Sequence, residues 1–156
     1  MIMSQVCYDT LQRQVEALLG GERNLIAAMA NFSALLNDAL PELNWVGFYL
    51  CEDNATQLVL GPFQGKVACS RIPLGHGVCG TAAKDNVTLR VDDVHQFSGH
   101  IACDSASNAE IVIPVRRNNQ VIAVLDIDSP QFNRFTESDQ KGLELLVKTL
   151  EKTLFA

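Results

Sequence analysis

Two apolar segments flank a short polar turn in residues 110–129, which read EIVIPVRRNNQVIAVLDIDS. Both segments are rich in β-branched residues, so strands are predicted over Ile111–Arg116 and Gln120–Ile127. Asn118 and Asn119 lie between them, and asparagine tolerates the left-handed backbone conformation that a tight hairpin turn requires. The sequence therefore predicts an antiparallel β-hairpin at this point of the chain.

The second strand of this hairpin ends in acidic residues. Asp126 and Asp128 are two residues apart, so their side chains point to one face of the sheet, which they are expected to share with the apolar Ile122 and Val124. The opposite face of the strand is also apolar, which indicates burial on both faces. Carboxylates crowded in an apolar pocket raise one another's pKa, so one of them can stay protonated at neutral pH and act as an acid.

The position of Glu110 depends on the hairpin register. An odd number of loop residues puts Glu110 opposite Asp126 or Asp128, whereas an even number puts it on the reverse face. The two aspartates also have a plainer interpretation, as turn formers before Ser129-Pro130. Residue spacing leaves both questions open.

Outside the hairpin, the sequence predicts helices, then strands, then a final helix. Helices are predicted over Ser4–Leu19, Asn24–Leu40 and Glu137–Leu154. Further strands are predicted over Trp45–Cys51, Gln57–Gly61, Lys66–Ile72 and Val87–Val91. Thr136 and Asp139 have the spacing of a helix-capping pair. This order is typical of an α+β domain with an antiparallel sheet and helices on one face, and we expect residues 1–156 to form a single domain.

The composition excludes several classes of protein. With 12 Lys and Arg against 18 Asp and Glu, the formal charge is −6, which argues against nucleic acid and anionic membranes as partners. Apolar runs are too short for a membrane span, and charged residues interrupt Met1–Leu19, which disfavours a secretory signal. The odd number of cysteines, five, favours a cytoplasmic protein with reduced thiols.

The five cysteines fall into two groups. Cys7 and Cys51 are interpreted as small buried hydrophobic residues, one in a helix and one at a strand end. Cys69, Cys79 and Cys103 lie in or beside irregular segments. Cys79 is expected just inside a short helix, where free N–H groups and the helix dipole lower the pKa of a thiol. Most buried thiols are inert, so position alone does not establish reactivity.

The irregular segment Asp92–Ala109 contains His95, His100 and Cys103. A long irregular segment in a compact domain is often functional. The spacing of these residues, and that of the pair His76 and Cys79, gives no Cys-x2-Cys or His-x3-His pattern. We therefore expect no metal, and interpret the histidines as hydrogen-bonding loop residues.

Seven segments resemble the free methionine-(R)-sulfoxide reductase family of GAF-domain proteins. They are Asn44–Tyr49, Gly61–Gly65, Gly75–Ala82, Gly99–Asp104, Asn108–Val112, Val124–Ser129 and Arg134–Thr136. The resemblance extends over about residues 25–150. The later segments alone indicate a GAF domain, a fold used mainly to sense small molecules. Cysteines at positions 69, 79 and 103 are the feature that is specific to the reductases.

The resemblance implies a GAF-like α+β fold, with a six-stranded antiparallel sheet and flanking helices, often as a homodimer. It also implies reduction of free L-methionine-(R)-sulfoxide by thiol chemistry, with no bound cofactor or metal. Cys103 is then the nucleophile, which becomes a sulfenic acid. Cys69 is the preferred resolving thiol, with Cys79 as a third redox-active thiol. A thioredoxin-type dithiol reduces the resulting disulfide.

The acidic residues acquire roles from the same resemblance. Glu110 and Asp128 take part in catalysis, and together with Asp126 they surround the sulfoxide and the ammonium group of the substrate. Trp45 lines the pocket for the methyl group. The alternatives are a GAF sensor that binds a small molecule without chemistry, which would keep its ligand affinity after Cys103→Ser, and a zinc-binding structural protein.

Overall fold

The computed structural model describes residues 6–52, 54, 56–100 and 106–155. Within these ranges there are four α-helices, six strands and one 3-10 turn at Val94–Gln96. The elements are α1 (Tyr8–Leu19), α2 (Leu25–Ala39), β1 (Trp45–Cys51), β2 (Gln57–Gly65), β3 (Arg71–Pro73), α3 (Gly77–Asp85), β4 (Leu89–Val91), β5 (Ala109–Arg117), β6 (Gln120–Ser129) and α4 (Glu137–Phe155).

The six strands form one sheet in the order β3-β2-β1-β6-β5-β4, and every neighbouring pair is antiparallel. The predicted α+β class and antiparallel sheet are thus confirmed. The predicted hairpin joins β5 to β6, and Asn118 and Asn119 have positive φ angles of 53° and 65°. These values fit the two-residue turn that matches the twist of paired strands.

The hairpin contains a β-bulge that sets the face on which each later side chain lies. Next to the turn Arg116 pairs with Val121, but the following pair is Val115 with Ala123, so Ile122 is an extra residue in β6. Val121 packs on one face of the sheet and Ile122 on the other. The expectation that Ile122 shares a face with the two aspartates is therefore wrong, because the bulge shifts the alternation by one residue.

Apolar side chains fill a core on each face of the sheet. The larger core lies between the sheet and the helices α1, α2 and α4. The smaller one contains residues of α3 together with Trp45, Tyr49, Val112 and Val124. The prediction that helices cover one face is wrong for α3, which covers the second face because the central strands are apolar on both sides.

The segment after β2 differs most from the prediction. β2 continues to Gly65, and β3 is only Arg71–Pro73 instead of the predicted Lys66–Ile72. The backbone carbonyls of Lys66 and Cys69 accept hydrogen bonds from the side chains of Trp45 and Tyr49, at 3.1 and 3.0 Å. Side-chain donors thus take up carbonyls that a longer strand would have paired with a neighbour.

Helix boundaries follow the predictions at α2 and α4. Thr136 and Asp139 exchange side-chain and backbone hydrogen bonds of 3.0 Å, as in a capping box. In the described part of the chain α1 begins at Tyr8, so the predicted helix from Ser4 is wrong for Val6 and Cys7, while Ser4 and Gln5 lie outside the described residues. None of the helices described combines the length and the apolar composition that a membrane span requires.

We expect Gly142→Ala to destabilise the protein by about 1–3 kcal/mol, as overpacking does, although alanine has the higher helix propensity. A Cβ atom at Gly142 would lie 2.2 Å from Cγ of Tyr8, whose hydroxyl donates to Asp139 Oδ1 at 2.7 Å and thus holds the ring in place. Urea denaturation measures the effect. The double variant with Tyr8→Ala is the control, because removal of the ring should cancel the penalty. A Gly142→Ala variant more stable than the wild type would contradict this packing.

Candidate functional site

Side chains from β1, α3, β5 and β6 line one cavity on the sheet face that α3 covers. The aromatic, thiol and carboxyl side chains that these four elements contribute are Trp45, Tyr49, Cys79, Glu110, Asp126 and Asp128. Of the seven residues proposed from the sequence as site residues, five meet here. Cys69 lies nearby on the segment that Tyr49 holds, and Cys103 lies outside the described residues.

The sheet register brings the three carboxyl groups together. Glu110 pairs directly with Asp128 across β5 and β6, and Asp126 lies two residues along the same strand. Trp45 pairs with Asp128 on the other side, across β1 and β6. The hairpin loop has an even number of residues, which alone would put Glu110 on the reverse face, but the bulge at Ile122 returns it to the face of the aspartates.

Burial gives the carboxyl groups unusual protonation behaviour. Glu110, Asp126 and Asp128 are only 7, 5 and 8% exposed. Burial is the main cause that holds the pKa of Glu110 well above its ordinary value, because it disfavours the charged form. The negative charges of Asp126 and Asp128 act in the same direction. Burial also raises the pKa of Asp126, but a hydrogen bond from Glu110 opposes the shift. Of these two groups, Glu110 is therefore the one that better retains a proton.

Cys79 faces these acids from the first turn of α3. Its Sγ is 3.9 Å from Oε2 of Glu110, and the residue is 4% exposed. Burial, followed by the charges of Asp126 and Glu110, raises the pKa of Cys79 well above its ordinary value. The prediction of a lowered pKa is wrong, because desolvation and the facing carboxylates outweigh the end of a nine-residue helix.

The remaining cysteines differ in state. Cys69 takes part in a disulfide, whereas Cys7, Cys51 and Cys79 are free. Cys51 ends β1 as predicted, but it is half-buried and not fully buried as expected. Cys7 is exposed and precedes the first residue of α1, so its interpretation as a buried helical residue is wrong. Cys7 and Cys51 do not line the cavity.

Aromatic rings form one wall of the cavity. The ring of Trp45 stacks against Phe63 and against Tyr49, with centroid distances of 5.1 and 5.9 Å. Its Nε1–H donates to the Lys66 carbonyl, which fixes the plane of the indole. Tyr49 was missed by the sequence analysis, although its spacing of four residues from Trp45 in one strand placed both rings on the same face.

The irregular segment before β5 contains two histidines, His95 and His100, and only His100 is among the residues that line the cavity. The His95 ring is 2.9 Å from Asn108 Oδ1 and in edge contact with His100, as expected of hydrogen-bonding loop residues. His100 and His76 line the cavity, a role that the sequence did not indicate. Burial lowers the pKa of His100, which favours its neutral form.

One set of potential metal ligands occurs in the described part of the chain. A sulfur of Cys79 and carboxylate oxygens of Glu110 and Asp126 all lie within 4.8 Å of one another. These residues come from three elements that are distant in sequence, so no spacing motif marks them.

Comparison with known proteins shows the family to which a chain with this fold and sequence belongs. The GAF domain family matches residues 32–154. Free methionine-R-sulfoxide reductase of Escherichia coli (strain K12) is 58% identical over 147 residues, which cover 94% of this chain and 88% of the relative. The chain belongs to the free methionine-R-sulfoxide reductase family. The resemblance seen in the sequence is thus confirmed, and with it the assignment as an enzyme with a GAF fold.

Two solved structures of reductases have the same fold. The structure of fRMsr of Staphylococcus aureus in complex with substrate is 49% identical, has a TM-score of 0.92 and covers 99% of each chain. Free methionine-R-sulfoxide reductase from Neisseria meningitidis in complex with its substrate is 41% identical, with a TM-score of 0.92, and covers 99% of this chain and 93% of that one.

Proposed function

We propose that this protein reduces free L-methionine-(R)-sulfoxide to L-methionine by thiol chemistry. The observation that carries the proposal is the cluster of three buried carboxyl groups beside the Trp45 wall, in a member of the reductase family. The cavity combines an apolar surface for a methyl thioether with acids for a polar head group. A sensor of neutral ligands would have no need of three desolvated acids.

Glu110 supplies the proton that the reaction requires. A sulfoxide sulfur becomes electrophilic when its oxygen is protonated or strongly hydrogen-bonded. Burial and the facing aspartates keep the pKa of Glu110 high, so it can donate a proton to this oxygen near neutral pH. Asp128 lies directly across the strand pair, and its negative charge helps to keep this proton on Glu110.

The remaining negative charge selects the free amino acid. Asp126 and Asp128 bind the ammonium group, which methionine sulfoxide within a peptide lacks. No lysine or arginine occurs among the described residues that line the cavity, so the charge of the site remains available to a cation. Peptides are then rejected because binding would leave buried carboxylates without a partner.

The thiols carry the two electrons. The Cys103 thiolate attacks the sulfoxide sulfur, the oxygen passes to the cysteine, and methionine and a sulfenic acid result. The Cys69 thiol condenses with the sulfenic acid, which forms a disulfide and releases water. A dithiol of the thioredoxin type then reduces this disulfide by exchange and is itself oxidised.

Two features support Cys69 over Cys79 as the first resolving thiol. Cys69 takes part in a disulfide, and Cys79 is free. Burial and carboxylates also raise the pKa of Cys79, which disfavours the thiolate. The need for a dithiol reductant favours a cytoplasmic location. Assembly as a homodimer stays a prediction from the family resemblance.

Turnover of the two sulfoxide epimers tests the proposed function. NADPH consumption with thioredoxin and thioredoxin reductase should occur with free L-methionine-(R)-sulfoxide and not with the (S) epimer. N-acetylated (R)-sulfoxide, which lacks the ammonium group, is the matched control and should be a poor substrate. Absence of turnover with the reduced, folded protein would instead favour the GAF sensor, and calorimetric ligand binding would become the relevant measurement.

A further inference from the structure

The cluster Cys79, Glu110 and Asp126 has the composition of a cation site that the proposed reaction does not require. Ligand atoms of the three residues lie within 4.8 Å of one another, and each residue is at most 7% exposed. The residues are held by α3, β5 and β6, so the backbone fixes their separation. Three ligand atoms that converge in a buried cavity are sufficient for a divalent ion with one position left for water.

Asp126 gives independent evidence that the cluster is open to a ligand. Its side chain accepts a hydrogen bond from Glu110, but its Oδ1 atom is buried and has no hydrogen-bond partner among the described residues. The residue lines the cavity, as Cys79 and Glu110 also do. An unpartnered buried carboxylate oxygen is costly unless a cation or a donor occupies the space in front of it.

We propose that Cys79, Glu110 and Asp126 bind one divalent cation of the zinc class. The thiol excludes magnesium and calcium as preferred ions, because these take oxygen ligands in larger numbers. Zinc accepts sulfur and carboxylate ligands in a four-coordinate site, and the ligands bind as thiolate and carboxylates with their protons released to solvent. Asp128 is close enough in register to orient Glu110 from across the strand pair.

The cation and the substrate would exclude each other. This consequence rests on the proposed function, in which Glu110 and Asp126 contact the sulfoxide and the ammonium group. The ion would occupy the same carboxyl groups, so zinc would act as a reversible inhibitor that a chelator removes. The bound cation would therefore be an inhibitor, and not a catalytic metal that stays in the active site during turnover.

Cobalt binding to the oxidised protein tests the site without reference to turnover. In this form Cys69 is in a disulfide, and Cys79 is the free thiol at the cluster. We expect one equivalent of Co²⁺ to give a thiolate-to-cobalt absorption band in the near ultraviolet, which Zn²⁺ abolishes because it binds more tightly. Cys79→Ser should remove the band, whereas Cys7→Ser and Cys51→Ser should retain it.

A second variant protects the test against a folding defect in Cys79→Ser. Glu110→Gln keeps the thiol, so the band should persist while the cobalt affinity falls at least tenfold. A wild-type protein without the band, or a Cys79→Ser protein that retains it, would overturn the proposal. Turnover of the chelator-treated enzyme is measured separately. If that turnover is absent, the proposed function is wrong. The cobalt band still shows whether the cation site exists.

Discussion

Replacing Glu110 by glutamine is expected to lower kcat for free methionine-(R)-sulfoxide by about 10²–10⁴-fold, the range typical of general acid catalysis. Glutamine preserves the shape and the hydrogen-bonding capacity of the side chain, but its amide protons are too weakly acidic to be transferred to the sulfoxide oxygen. The group is buried and paired in register with Asp128, so water cannot easily replace it as the acid. Thioredoxin-coupled turnover measures the loss.

The pH dependence distinguishes an acid from a purely structural residue. Burial raises the pKa of Glu110, so wild-type turnover should fall as the pH rises through that raised pKa, and the Glu110→Gln variant should lose this limb. The matched control is Glu137→Gln on the exposed start of α4, which should change neither rate nor profile. An unchanged pH limb in Glu110→Gln would assign the acid to another group.

Stability should change in the opposite direction from activity. The folded pKa of Glu110 is raised, so the folded protein binds more protons than the unfolded chain between the ordinary and the raised pKa, and stability falls as the pH rises through this window. Glutamine removes this penalty. The variant is therefore expected to be as stable as the wild type at neutral pH, or more so, in urea denaturation.

The sequence was sufficient to predict the elements that depend on local pattern. The hairpin at Asn118-Asn119 and the capping pair Thr136 and Asp139 were predicted because turn and cap chemistry are encoded within a few residues. The face of Glu110 was not, because it depends on one bulged residue, Ile122. Periodicity in a strand identifies which residues share a face only as long as the pairing is regular.

The errors at Cys79 and at β3 have a common origin in tertiary contacts. The helix end that should lower the pKa of Cys79 is opposed by carboxylates from two strands more than 30 residues away in the chain. The predicted strand through Cys69 is replaced by a segment whose carbonyls bind to Trp45 and Tyr49. Both features belong to the site, where contacts between residues distant in sequence override local conformational preferences.

Replacing Cys103 by serine is expected to abolish turnover, with a loss of more than about a thousandfold. The nucleophile reacts as its anion, and a serine hydroxyl forms this anion far less readily because its pKa is far higher than that of a thiol. A hydroxyl also cannot form the sulfenic acid or the later disulfide. The test uses single-turnover formation of methionine by the reduced protein, with thermal denaturation as a check that the fold persists.

The other cysteines provide graded controls for the assignment of Cys103. Cys7→Ser and Cys51→Ser should leave single turnover unchanged, because both residues lie away from the cavity. Cys69→Ser should form one equivalent of methionine but fail to turn over with thioredoxin, because the sulfenic acid forms without its resolving partner. Retention of full turnover by Cys103→Ser would transfer the role of nucleophile to Cys69 or Cys79. The raised pKa of Cys79 disfavours its thiolate, and the Cys69→Ser and Cys79→Ser variants would then separate the two thiols.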